Sequence, residues 1–178
     1  DKVDVAQLFP ATWDALLEWL LGGGPDVLHF EGHGDFTRTG RLFFEDVRGG
    51  MDAVTASEIG AVLHSTPLRL VALSASTASG AASNGMTEST LSSIAPTLIA
   101  AGVPAVIATQ VTLPQADAAQ FWRAVYTALL DGENVESAVM AGRYALRRTL
   151  GWHAIALYRR AARPPAPDAA PVPLRADT

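Results

Sequence analysis

The chain has 178 residues, of which 49% are hydrophobic, 17% charged and 7% aromatic, the proportions of one soluble globular domain with a sizeable core. No apolar run approaches the roughly 18 residues of a membrane-spanning helix, and residues 1 to 30 lack the basic, apolar and small-residue order of a secretory signal; a cytoplasmic location and no membrane partner are expected. A formal charge of −5, from 13 Lys and Arg against 18 Asp and Glu, argues against direct binding of nucleic acid, and the lack of cysteine excludes disulfides, thiolate metal sites and a thiol nucleophile.

The chain begins at Asp1 without a methionine, which reads as a piece of a longer protein. Clustered Leu16, Leu17, Leu20 and Leu21 predict a helix over Thr12 to Leu21, stopped by Gly22-Gly23-Gly24-Pro25. That glycine run precedes a strand and opens no helix after one, so it is not a phosphate cradle. Short apolar runs with turn-type flanks predict strands at Val27 to Glu31, Arg41 to Phe44, Leu68 to Leu73 and Pro104 to Thr109, with a last one at Ala154 to Tyr158. Helical spacing falls between them at Ala56 to Leu63, Ser92 to Ala101, Ala116 to Leu130 and Val135 to Leu150. The Ser/Thr/Ala/Gly-rich stretch from Ser74 to Ser93 reads as a loop leading into a helix. Residues 1–160 are expected to form one domain and 161–178 a Pro/Ala-rich tail or linker, since five of the 11 prolines lie there.

Strands alternating with helices predict an α/β sandwich around a mainly parallel sheet, whose sites form where loops leave the carboxyl ends of strands. Two loops qualify. Glu31-Gly32-His33-Gly34-Asp35 sets a histidine between glycines that give it backbone freedom, and Gly34 offers an N–H to an oxyanion with no side chain in the way. Ser74-Ala75-Ser76-Thr77-Ala78-Ser79-Gly80 is built of small residues that let a substrate backbone approach. Each loop alone reads as an ordinary turn or solvated loop; the pair is what suggests a site.

The motifs Val27-Leu28-His29-Phe30-Glu31-Gly32-His33-Gly34, Leu42-Phe43-Phe44-Glu45 with Val54-Thr55-Ala56-Ser57-Glu58-Ile59, Leu70-Val71-Ala72-Leu73-Ser74-Ala75-Ser76 and Leu98-Ile99-Ala100-Ala101-Gly102-Val103-Pro104-Ala105-Val106-Ile107-Ala108 follow in order. With Phe121, Tyr126, Asp131-Gly132 and a closing Trp152 and strand, the set resembles the CHAT family of caspase-like cysteine peptidases over most of residues 10 to 160. The resemblance implies a caspase-like three-layer α/β/α fold and a His/Cys dyad that cleaves peptide bonds, the Cys closing a Leu-Ser-Ala-Cys motif. His33 matches the histidine, and Ser76 stands at the cysteine position. It further implies a protein substrate, a role in bacterial defence or regulated proteolysis, and control by an attached sensor or repeat module.

A thiol of pKa about 8.5 is partly ionised near neutrality, whereas a serine hydroxyl needs a base held in reach and a group that orients it. Glu31 lies along the strand and not behind the His33 ring, and no Gly-x-Ser-x-Gly elbow exists. Three readings stay open: a disabled cysteine peptidase with Cys replaced by Ser, a natural pseudopeptidase serving as an interaction module, and a working serine hydrolase. In the active form residue 76 would attack, His33 would protonate the leaving amine, and the N–H groups of Gly34 and residue 76 would hold the oxyanion. Asp35 and Asp117 are candidate pocket carboxylates for a basic P1 side chain, with turn and helix-start roles as the alternatives.

No cofactor or metal is expected. His29 and His33, four apart on a strand, are about 13 Å apart, too far to share an ion. His29 reads as packed or hydrogen-bonded, His64 as a helix-end residue bonding the last carbonyls, and His153 as structural. Trp13, Trp19, Phe121, Trp122 and Tyr126 have helical spacings suited to a core.

Overall fold

A computed structural model describes residues 4–36, 39–74, 76–77 and 91–160. The proposed tail at 161–178 and most of the Ser/Thr/Ala/Gly-rich loop, residues 78–90, lie outside them. In chain order the elements are α1 (Trp13–Leu21), β1 (Val27–Glu31), β2 (Gly34–Phe36), β3 (Gly40–Glu45), β4 (Met51–Thr55), α2 (Ala56–Leu63), β5 (Leu70–Ser74) and β6 (Ser76–Thr77). They continue with α3 (Leu91–Ala100), β7 (Ala105–Thr109), β8 (Leu113–Pro114), α4 (Gln115–Leu130), α5 (Val135–Ala145), a 3-10 turn at Leu150–His153 and β9 (Ile155–Arg159).

The main sheet runs β1-β5-β7-β9, parallel except for β9. All five residues of β5 and of β7 are buried, as continuous apolar runs require of parallel strands covered on both faces. Val71, Leu73, Val106 and Ala108 face one layer with Leu16 and Leu20 of α1, Ile59 and Leu63 of α2, and Ile94 and Leu98 of α3. Leu70, Ala72, Ala105 and Ile107 face the other with Phe121 and Val125 of α4 and Val139 of α5. The architecture is thus the expected α/β sandwich. No helix among the described residues is long and apolar enough to cross a membrane.

Between β1 and β5 the chain leaves the sheet to form an antiparallel ribbon, β2-β3-β4. Its inner residues Leu42, Phe44 and Val54 join the α1–α3 core, and the Phe44 ring lies 5.6 Å from both Trp13 and Phe30. The turn into α2 is a capping box: Thr55 Oγ1 accepts from Glu58 N–H at 3.2 Å, and Glu58 Oε2 accepts from Thr55 N–H at 2.9 Å.

Three expectations change. Of the stretch read as a loop, Ser74 closes β5, Ser76–Thr77 form β6 and α3 already begins at Leu91. The fifth helix ends at Ala145 and not Leu150, because the chain turns and restarts as the 3-10 turn capped by Thr149, whose Oγ1 accepts from Gly151 N–H. His64 does cap α2, yet its Nδ1 meets the carbonyl of Ala101 at 2.8 Å, tying α2 to the end of the neighbouring α3 and not to its own last turn.

Candidate active site

The geometry of the site follows from strand register. β1 and β5 pair from Val27 opposite Leu70 to Glu31 opposite Ser74, and Gly32 N–H donates to the Ser74 carbonyl at 3.0 Å. His33 and residue 76 each stand two residues beyond the last pair, so the Gly-His-Gly turn and the suspected nucleophile position leave adjacent parallel strands at one level. The chain then diverges. The His33 carbonyl accepts from Phe43 N–H at 3.0 Å, which roots the ribbon, while Ser76 and Thr77 pair in parallel with Leu113 and Pro114, just before α4. The His33 side chain is exposed.

The two glycines beside His33 act differently from the expectation of backbone freedom. Neither has a positive φ. What they supply is space: a Cβ on Gly34 would lie 2.5 Å from the Arg41 carbonyl oxygen and 3.1 Å from Leu91 Cδ2, and one on Gly32 would lie 2.9 Å from Phe30 Cζ. Phe30 can swing its ring tip aside; a backbone carbonyl across a strand pair cannot. Gly34→Ala is therefore expected to pry β2 from β3 and cost about 1–3 kcal/mol, read as a lower urea midpoint. An unchanged midpoint would show that the carbonyl yields freely. Because Phe43 N–H bonds to His33, strand alternation makes Gly34 opposite Leu42 a non-hydrogen-bonded pair, with the Gly34 N–H directed away from β3.

The two candidate pocket carboxylates lie on different elements. Asp35 sits opposite Arg41 in the ribbon and accepts from its Nε at 2.7 Å and from its Nη2. The hydrogen bonds from Arg41, with its charge, hold the Asp35 carboxyl below the usual range. Asp117 lies in the first turn of α4, three residues after Pro114 of β8, and its Oδ2 is 3.2 Å from where a Cβ of Gly151 would stand. His33 follows β1, at one edge of the main sheet.

Sequence reasoning placed Trp122 and Tyr126 in the core but missed that they tie down the strands of the site. Trp122 Nε1 donates to the Ser74 Oγ at 3.1 Å, a bond between two buried side chains. The Trp122 ring centroid lies 4.5 Å from that of His29, and the Tyr126 hydroxyl is 2.8 Å from His29 Nδ1. Part of the His29 ring meets solvent, yet enclosure by these aromatics lowers its pKa below the ordinary imidazole value against the opposing charge of Glu31. Burial likewise raises the Tyr126 hydroxyl pKa. His29 is thus a hydrogen-bonded packing residue. Among the described residues, no group of three or more His, Asp or Glu is placed to hold a metal ion.

A comparison with curated proteins returns no match. The profile of the CHAT domain matches residues 2–171, and with that match spanning nearly the whole chain, the protein belongs to the CHAT domain family, a caspase-like, peptidase-related one.

Proposed function

We propose that this is a cysteine endopeptidase domain of caspase-like type in which serine occupies the nucleophile position, so that the chain as it stands does not turn over. The observation that supports the reading is the register of β1 and β5, whose last pair, Glu31 with Ser74, lies two residues before His33 and two before residue 76, at the carboxyl ends of strands where parallel sheets build their sites. With cysteine at 76, the thiol passes its proton to His33 and Sγ attacks the scissile carbonyl carbon while the N–H groups of Gly34 and residue 76 receive the oxyanion. The C–N bond breaks as His33 gives its proton to the leaving amine. Water then attacks the thioester, His33 takes its proton, and the thiol is released.

A second reading, a natural pseudopeptidase retained as an interaction module, is favoured by the serine itself. On either reading the partner is a protein, with an attached or separate sensor module as the regulator, and a bacterial cytoplasm is the setting. A basic P1 side chain would have to displace Arg41 to reach Asp35, and a P1 library reads whether it does.

The test is cleavage of a fluorogenic peptide panel by Ser76→Cys protein with its activator, with His33→Ala as control. Cleavage that depends on both residues supports the peptidase. A folded, activated Ser76→Cys protein that cleaves nothing overturns it in favour of the interaction module.

A further inference from the structure

We propose that Trp122 is a positioning residue that fixes the distance between His33 and residue 76, an inference that rests on the peptidase reading. One side chain of α4 touches both strands that end in the site. Through Nε1 it holds Ser74, the last residue of β5 and two before position 76; through its ring it packs on His29, which lies on β1 four before His33. Tyr126, one turn further along α4, fastens the same histidine from its hydroxyl. The helix is itself tied to the nucleophile segment, because β8 pairs with β6 and runs directly into α4 at Gln115. The strands, the helix and the short β6–β8 pairing therefore close a frame around the two positions, and Trp122 is its crosspiece.

The bond is hard to replace. Ser74 is fully buried and Trp122 is 6% exposed, so water has no ready access to either partner once the other is removed. Trp122→Phe keeps an aromatic body against His29 but loses the N–H. The end of β5 then keeps its backbone bond to Gly32 but loses its side-chain tie to α4, and a displacement of about 1 Å between nucleophile and base costs on the order of 100-fold in rate.

The chain has no cysteine, so in Ser76→Cys protein iodoacetamide reports on position 76 alone. A histidine held beside the thiol lowers the pH midpoint of alkylation below the ordinary value of about 8.5. Trp122→Phe in that background is expected to move the midpoint back toward that value and to lower kcat roughly 10- to 100-fold with KM little changed. Ser74→Ala should act in the same direction, and the double variant should fall no further than the worse single one, because both remove one bond. A folded Trp122→Phe protein with an unaltered midpoint and kcat overturns the inference; should that variant fail to fold, Ser74→Ala decides by the same two readouts. A Ser76→Cys midpoint that is ordinary and indifferent to His33→Ala overturns the pairing of His33 with residue 76, and with it any positioning of that pair. That failure is separately recognisable because it precedes any change at Trp122.

Discussion

Peptide cleavage by Ser76→Cys protein is expected to exceed that of the serine form by about 10³-fold or more, the order of loss seen when a hydrolase nucleophile is removed. The expectation follows from what surrounds position 76. A serine needs a base and a group that orients the base. The nearest carboxylate along the strand, Glu31, is on β1 two residues before His33, and Asp35 is held by Arg41. A thiol asks less of its base, since a few per cent is already thiolate near pH 7 and the thiolate is intrinsically nucleophilic. Rates are best compared with the activator present and below KM, so that kcat/KM is read directly. His33→Ala in the same background should return cleavage to the serine level. Equal cleavage by the serine form and by Ser76→Cys protein would mean that position 76 does not attack.

The largest loss of stability is expected from Phe121→Ala. Phe121 is fully buried in the α4–α5 layer, and removing its ring should cost about 3–5 kcal/mol by urea unfolding. A specific coupling accompanies it. A Cβ on Gly142 of α5 would lie 2.5 and 2.6 Å from ring carbons of Phe121 and 2.8 Å from Val125 Cγ2. Gly142→Ala alone therefore overpacks the helix pair, at about 1–3 kcal/mol, whereas in the Phe121→Ala background the same methyl enters the vacated space. The double variant should be more stable than the sum of the singles predicts, by about 1 kcal/mol. Strict additivity would show that the two helices move apart and do not close on the cavity.

The parts of this fold that were legible in the sequence are those where burial writes a pattern. β5 and β7 are uninterrupted apolar runs because both faces are covered, and α1 and α4 carry their apolar residues at helical spacing. β2, with three residues, and β6 and β8, with two each, are too short to show alternation. β4 carries three exposed residues before Val54, among them the apolar Met51 and Ala53, so its apolar pattern does not mark its buried face. His33 and position 76 each follow a readable strand, and the resemblance to the CHAT family is what singled them out as candidates. The reason for Gly34 could not be read, since it depends on the Arg41 carbonyl across a strand pair. The bond from Trp122 to Ser74 spans 48 residues, and no local periodicity marks a contact of that range.

The ribbon inserted after β1 makes His33 a junction between two separately hydrogen-bonded sheets. On one side Gly32 N–H is fastened to Ser74 in the main sheet; on the other the His33 carbonyl is fastened to Phe43 in the ribbon. Only the torsions of residues 32 and 33 lie between those anchors. The main sheet and the ribbon therefore share, on the β1 side, one short covalent linkage at residues 32 and 33, beside the imidazole of the candidate site.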